Sequence, residues 1–60
     1  MPLSGKEMVR LYEKAGWAFI RQKSSHVTML KGRVHATIPM HKELKPGMEH
    51  SLLKKLKKEI

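Results

Sequence analysis

Apolar and polar residues follow two different periods along this chain, and the switches between them divide it into five elements. Met8, Leu11, Tyr12 and Ala15 recur at i, i+3, i+4 and i+7, with Arg10, Glu13 and Lys14 mainly on the other side. That spacing predicts an amphipathic helix over about residues 5–15. Ser4-Gly5-Lys6-Glu7 marks its start as a capping box, in which the Ser4 hydroxyl accepts from the Glu7 amide and the Glu7 carboxylate reaches back to the Ser4 amide. Leu3 and Met8 add a hydrophobic staple, and Gly16 supplies the left-handed residue that ends the helix.

The period then shortens to two. Residues 17–23, Trp-Ala-Phe-Ile-Arg-Gln-Lys, read as a strand, and Ser24-Ser25 as a short turn. His26 to Lys31 forms a second strand with Val27 and Met29 on one face and His26, Thr28 and Leu30 on the other. Lys31-Gly32 marks a tight hairpin, after which Arg33 to Ile38 alternates: Val34, Ala36 and Ile38 one way, Arg33, His35 and Thr37 the other. Pro39 has no N–H for a ladder and closes this strand. Met40 to Lys45 is a loop, and Pro46 suits the first position of a second helix whose apolar stripe is Met48, Leu52, Leu53, Leu56 and Ile60. The predicted fold is α+β in the order α-β-β-β-α, a three-stranded antiparallel sheet with both helices on one face. Tyr12, Trp17 and Phe19 are assigned to core packing rather than to base stacking.

Length and charge narrow the function. Sixty residues support one thin core, so residues 1–60 are expected to form a single domain that benefits from a partner. Without cysteine there is no thiol catalysis, no Cys-ligated metal and no disulfide scaffold. No apolar run is long enough to span a bilayer and the first 20 residues carry five charges, so neither a membrane anchor nor a signal peptide is expected and the location is read as cytoplasmic. Thirteen Lys and Arg stand against five Glu, a net charge of +8 that favours a polyanionic partner. Five of those cations lie in residues 1–30 and eight in residues 31–60, most densely at Lys54, Lys55, Lys57 and Lys58.

Five segments, in order, resemble one family. Ser4-Gly5-Lys6-Glu7, Lys14-Ala15-Gly16-Trp17, Arg21-Gln22-Lys23-Ser24-Ser25-His26, Ile38-Pro39-Met40-His41 and Lys42-Glu43-Leu44-Lys45-Pro46-Gly47 are similar to successive landmarks of HicA-type toxins. The resemblance runs from Ser4 to about Leu56. It implies a fold like a double-stranded RNA-binding domain, the order already read from periodicity. It also implies an mRNA interferase, the toxin of a type II toxin–antitoxin system, inhibited by a HicB-type antitoxin and able to oligomerise through that complex. In that family the histidine of a Gly-Ser-His motif is catalytic, and the matching position is His26. Ser24 stands where the family usually has Gly, which a turn with positive φ would favour.

The residues suit that chemistry. RNA carries its own nucleophile, the 2′-hydroxyl, so a nuclease needs proton transfer and stabilisation of phosphorane charge. Histidine serves the first as general base or acid, and Lys or Arg the second without a metal or other cofactor. Arg21, Lys23 and Ser25 flank His26 as candidate RNA contacts, with Lys6, Lys45, Lys54 and Lys55 as backbone attractors. The product expected is a 2′,3′-cyclic phosphate, with water activation as the alternative. His35 shares a predicted face with His26, His41 lies in the loop after Pro39 where it can position that loop or bind RNA, and His50 is read as solvated. No metal site is expected: the chain has no Asp, and His35 and His41 lack a completing ligand. The competing reading is a non-catalytic basic RNA-binding module of the same fold.

Overall fold

The structure, a computed structural model, describes residues 2–58. Helix α1 (Gly5–Lys14) is followed by strands β1 (Ala18–Lys23), β2 (His26–Lys31) and β3 (Val34–Pro39), then helix α2 (Pro46–Lys58). Ile60, the last residue of the predicted apolar stripe, lies outside the described residues.

The ends of α1 are built as the sequence signals require. Ser4 Oγ accepts from the Glu7 amide at 3.1 Å and Glu7 Oε1 accepts from the Ser4 amide at 3.0 Å, bonds that hold the Glu7 carboxyl below its ordinary pKa. At the other end Gly16 takes φ +95°. The Gly16 amide donates to Glu13 O (3.1 Å) and the Trp17 amide to Tyr12 O (2.9 Å), the two bonds of a Schellman cap. Trp17 therefore closes the helix rather than opening β1, and its ring packs on Tyr12 with centroids 4.8 Å apart. Lys31, from the end of β2, adds a bond from Nζ to Ala15 O at 2.8 Å, a cation on the negative end of the helix.

The sheet is antiparallel in the order β1-β2-β3. Lys23 pairs with His26 and Lys31 with Val34, so both hairpins turn on two residues. Arg33 thus belongs to a turn, and β3 reaches Pro39, which ends an edge strand where its missing N–H is tolerated. On the helix side lie Val27, Met29, Ala36 and Ile38. They share one buried cluster with Met8 and Tyr12 of α1, Leu52 of α2, Trp17 and Leu44, so both helices cover the same face. Tyr12 Oη donates to Leu52 O at 2.6 Å and joins the helices; burial pushes the phenol up to about 12, so it remains a donor at neutral pH.

Two apolar expectations fail. Phe19, assigned to the core, is 48% exposed. A β-bulge between Phe19 and Arg21 leaves Ile20 out of the register and sets Phe19 opposite Met29, but β1 is an edge strand exposed along its whole length. Met48 is 42% exposed because it lies at the start of α2, away from the buried cluster.

A further contact holds α1 against the segment between β3 and α2. Gly5 is buried, and its amide donates to His41 O at 2.9 Å. A β-carbon on Gly5 would overlap the Pro39 carbonyl oxygen and lie 2.7 Å from the Met40 α-carbon. Only glycine lets α1 approach the β3–α2 crossover this closely, since both obstacles are backbone. Gly5→Ala is expected to cost about 1–3 kcal/mol by overpacking, read in a thermal melt as a fall in Tm of roughly 4–8 °C for each kcal/mol. An unchanged Tm would contradict the close approach.

Candidate functional site

The crossover between β3 and α2 is pinned by its backbone. The Met40 amide donates to Ser25 O at 2.6 Å, His41 O accepts from Gly5, and the Leu44 amide donates to Leu3 O at 2.8 Å. The Leu3 amide in turn donates to Glu49 Oε2 at 2.6 Å, tying the N-terminal segment to the first turn of α2. Lys45 O accepts from the Glu49 amide at 2.9 Å, so Lys45 holds the N-cap position and Pro46 the first helical one. Lysine is a poor N-cap, and its charge opposes the positive end of the helix dipole at a cost of about 0.3–1 kcal/mol.

This crossover walls a cleft of about 340 Å³. His26, Thr37 and Pro39 enter it from the sheet face that the helices leave open, and His41, Leu44 and Lys45 from the crossover, with Met48 from α2. His26 stands at the first position of β2, opposite both Lys23 and Pro39, and is exposed. Ladder alternation counted from the turn puts Lys23 and Arg21, which pairs with Thr28, on the face of His26.

The sequence candidates separate into three groups. His26 and Lys45 line the cleft. Lys23, Arg21 and Ser25 surround its β1–β2 edge, while Lys6 follows Gly5 at the same end of α1. Lys54 and Lys55 line a different depression, with Val34, Ser51 and Lys58, and Lys55 Nζ donates to His35 O at 3.0 Å. Val34 and Pro39 are the two ends of β3, so these lysines sit about 17 Å along the strand from the cleft, too far to touch a phosphate beside His26. His35 does share the open face with His26, but it pairs with Leu30, about 13 Å along the ladder. Among the described residues no three His or Glu side chains converge to hold a metal ion. Met48 and Thr37 are cleft residues that sequence patterning assigned to a core stripe and a strand face.

Ser24 has φ +58°, and in the other hairpin Gly32 has φ +61° at the matching position. Both turns place the positive φ at the first of two central residues, the position that glycine fills in type II′ hairpins. This turn sets His26 against Lys23 and presents the Ser25 carbonyl to Met40.

A small basic α-β-β-β-α domain with a histidine and a lysine in a cleft beside a tight hairpin is the class defined so far. The chain belongs to the HicA toxins of bacterial toxin–antitoxin systems, whose family model matches residues 5–57. No curated protein and no solved structure matches it significantly. It is therefore a toxin-family domain, with an antitoxin as its expected partner. No helix among the described residues is long and apolar enough to cross a membrane.

Replacing Ser24 by glycine removes the penalty that a side chain incurs at positive φ. Ser24→Gly is expected to stabilise the chain by up to about 1 kcal/mol and so to raise Tm, at roughly 4–8 °C for each kcal/mol. A lower Tm in the melt would contradict the reading of this turn.

Proposed function

We propose that this chain is a metal-independent endoribonuclease that cuts mRNA at the cleft beside the β1–β2 hairpin, acting in the cytoplasm and held inactive by a HicB-type antitoxin. The observation that carries the reading is that His26 and Lys45 line one cleft in a chain of the HicA family. His26 transfers a proton as general base or acid. Lys45, held at the mouth of α2 despite opposing the helix dipole, stabilises the charge that grows on the phosphorane, and the positive end of α2 adds to it. The 2′-oxygen bonds to phosphorus as the bond to the 5′-oxygen breaks, giving a 2′,3′-cyclic phosphate and a 5′-hydroxyl.

Charge elsewhere holds the substrate. Lys23, Arg21 and Ser25 lie where the strand of RNA would pass the hairpin, Lys6 extends that surface, and Lys54 and Lys55 engage phosphates further along. An acidic antitoxin surface complements the same +8 charge and, by binding only the native state, stabilises a thin core. Such a complex weakens as salt rises.

Incubation of the purified chain with unstructured RNA in EDTA tests the proposal. Cleavage is expected, falling by roughly 10²–10⁴-fold in His26→Ala and by about 10²–10³-fold in Lys45→Ala, with melting curves that show both variants folded. RNA that is retarded in a gel but never cut would instead identify a non-catalytic RNA-binding module.

A further inference from the structure

We infer that His41 is a second proton-transfer group in the cleft, so that the site works through a pair of histidines; this rests on the ribonuclease reading above. Transesterification at phosphorus moves two protons, one off the 2′-hydroxyl and one onto the departing 5′-oxygen. In-line displacement sets these oxygens on opposite sides of phosphorus, so an imidazole fixed on one side serves one of them.

Among the described residues, the ionisable side chains lining the cleft are His26, His41 and Lys45. Lysine and glutamate have reference pKa values far from neutrality, and among the described residues no glutamate lines the cleft. Histidine is the type suited to give or take a proton near pH 7. The other two histidines are elsewhere: His35 lies at the far end of the ladder, and His50 lines a depression on α2 with Leu53, Lys54 and Lys57. Close to His41 in the chain or across its backbone bond, the charged neighbours are Lys6, Lys42, Glu43 and Lys45.

The backbone ties the two histidines together. Ser25 precedes His26, Met40 precedes His41, and the Met40 amide donates to the Ser25 carbonyl at 2.6 Å. His41 O then accepts from the amide of Gly5, the residue whose missing β-carbon admits the crossover. A loop residue clamped on both sides, beside the strand start that carries His26, is pre-organised for a shared reaction. Both anchors are main-chain atoms, so the His41 side chain can be replaced without removing them.

The proton balance closes within the pair. One imidazole, neutral, takes the 2′-hydroxyl proton as that oxygen bonds to phosphorus. The other enters as imidazolium and gives its proton to the 5′-oxygen as the P–O bond breaks. The enzyme ends with the two protonation states exchanged, and solvent restores them.

The test compares the full chain with His26→Ala, His41→Ala and His41→Asn on two substrates across pH: a ribodinucleotide, and uridine 3′-(4-nitrophenyl phosphate), whose leaving group needs no proton. The parent is expected to give a bell-shaped pH–rate profile on the dinucleotide, and each variant to lose at least about 10²-fold in kcat together with one limb of the bell. The activated ester is expected to rescue the variants at one of the two histidines and not at the other. Loss of cleavage in His26→Ala with His41→Ala still within about tenfold of the parent would sink the pair and leave the ribonuclease reading intact. Loss in both with no rescue by the ester would make His41 a positioning residue and overturn the inference. A parent that cuts neither substrate would overturn the ribonuclease reading itself.

Discussion

The approach of α1 to the β3–α2 crossover at Gly5 is the contact on which the rest of the arrangement depends. Without a β-carbon there, the first amide of α1 reaches the His41 carbonyl, and Pro39 and Met40 pass directly over the helix start. The crossover then carries His41 and Lys45 past the start of β2 before α2 begins at Pro46. The opposite end of α1 is fixed as firmly by the Schellman cap and by Lys31. Held at both ends, a helix of only 10 residues fixes the register between sheet and crossover, and so the shape of the cleft.

Stability and the proposed function are divided between the two sheet faces. Among the described residues, one is sealed under both helices by a cluster of nine buried hydrophobic side chains, which is a thin core for 60 residues and leaves room for a partner to contribute. The open face gathers His26, Arg21 and Lys23 at the cleft end. Lysine-rich α2 carries positive charge to the other end, about 17 Å away along β3. The proposed chemistry is thus concentrated at one end of the sheet, and the charge is spread over the whole surface.

Local signals in the sequence carried most of the fold. The capping box, Gly16 and Pro46 each mark a helix boundary within a few residues, and strict alternation in β2 and β3 reveals which side faces the helices, because these depend on neighbours in the chain. Phe19 was misread because a strand pattern does not say which strand will be an edge, nor where a bulge will fall. Position Ser24 was legible only as a departure from the family, whereas its positive φ emerges from the two-residue turn. Resemblance singled out His26, but the cleft was illegible: it needs Gly5 to meet residues more than 30 positions away, and a lone glycine gives no hint of that contact. For the same reason the pairing of His26 with Lys45 and His41, and the separation of His35 from them, became visible only in three dimensions.

The central claim is that RNA is engaged at this cleft and not merely along the basic helix. Amide chemical shifts of the ¹⁵N-labelled chain, followed as a short 2′-methoxy oligonucleotide that lacks the nucleophile is added, test it most directly. The largest perturbations are expected at Ser25, His26, His41, Lys45 and Met48, with smaller ones at Lys54 and Lys55. Perturbations confined to α2 from Lys54 to Lys58, with the cleft amides unmoved at saturation, would contradict the account.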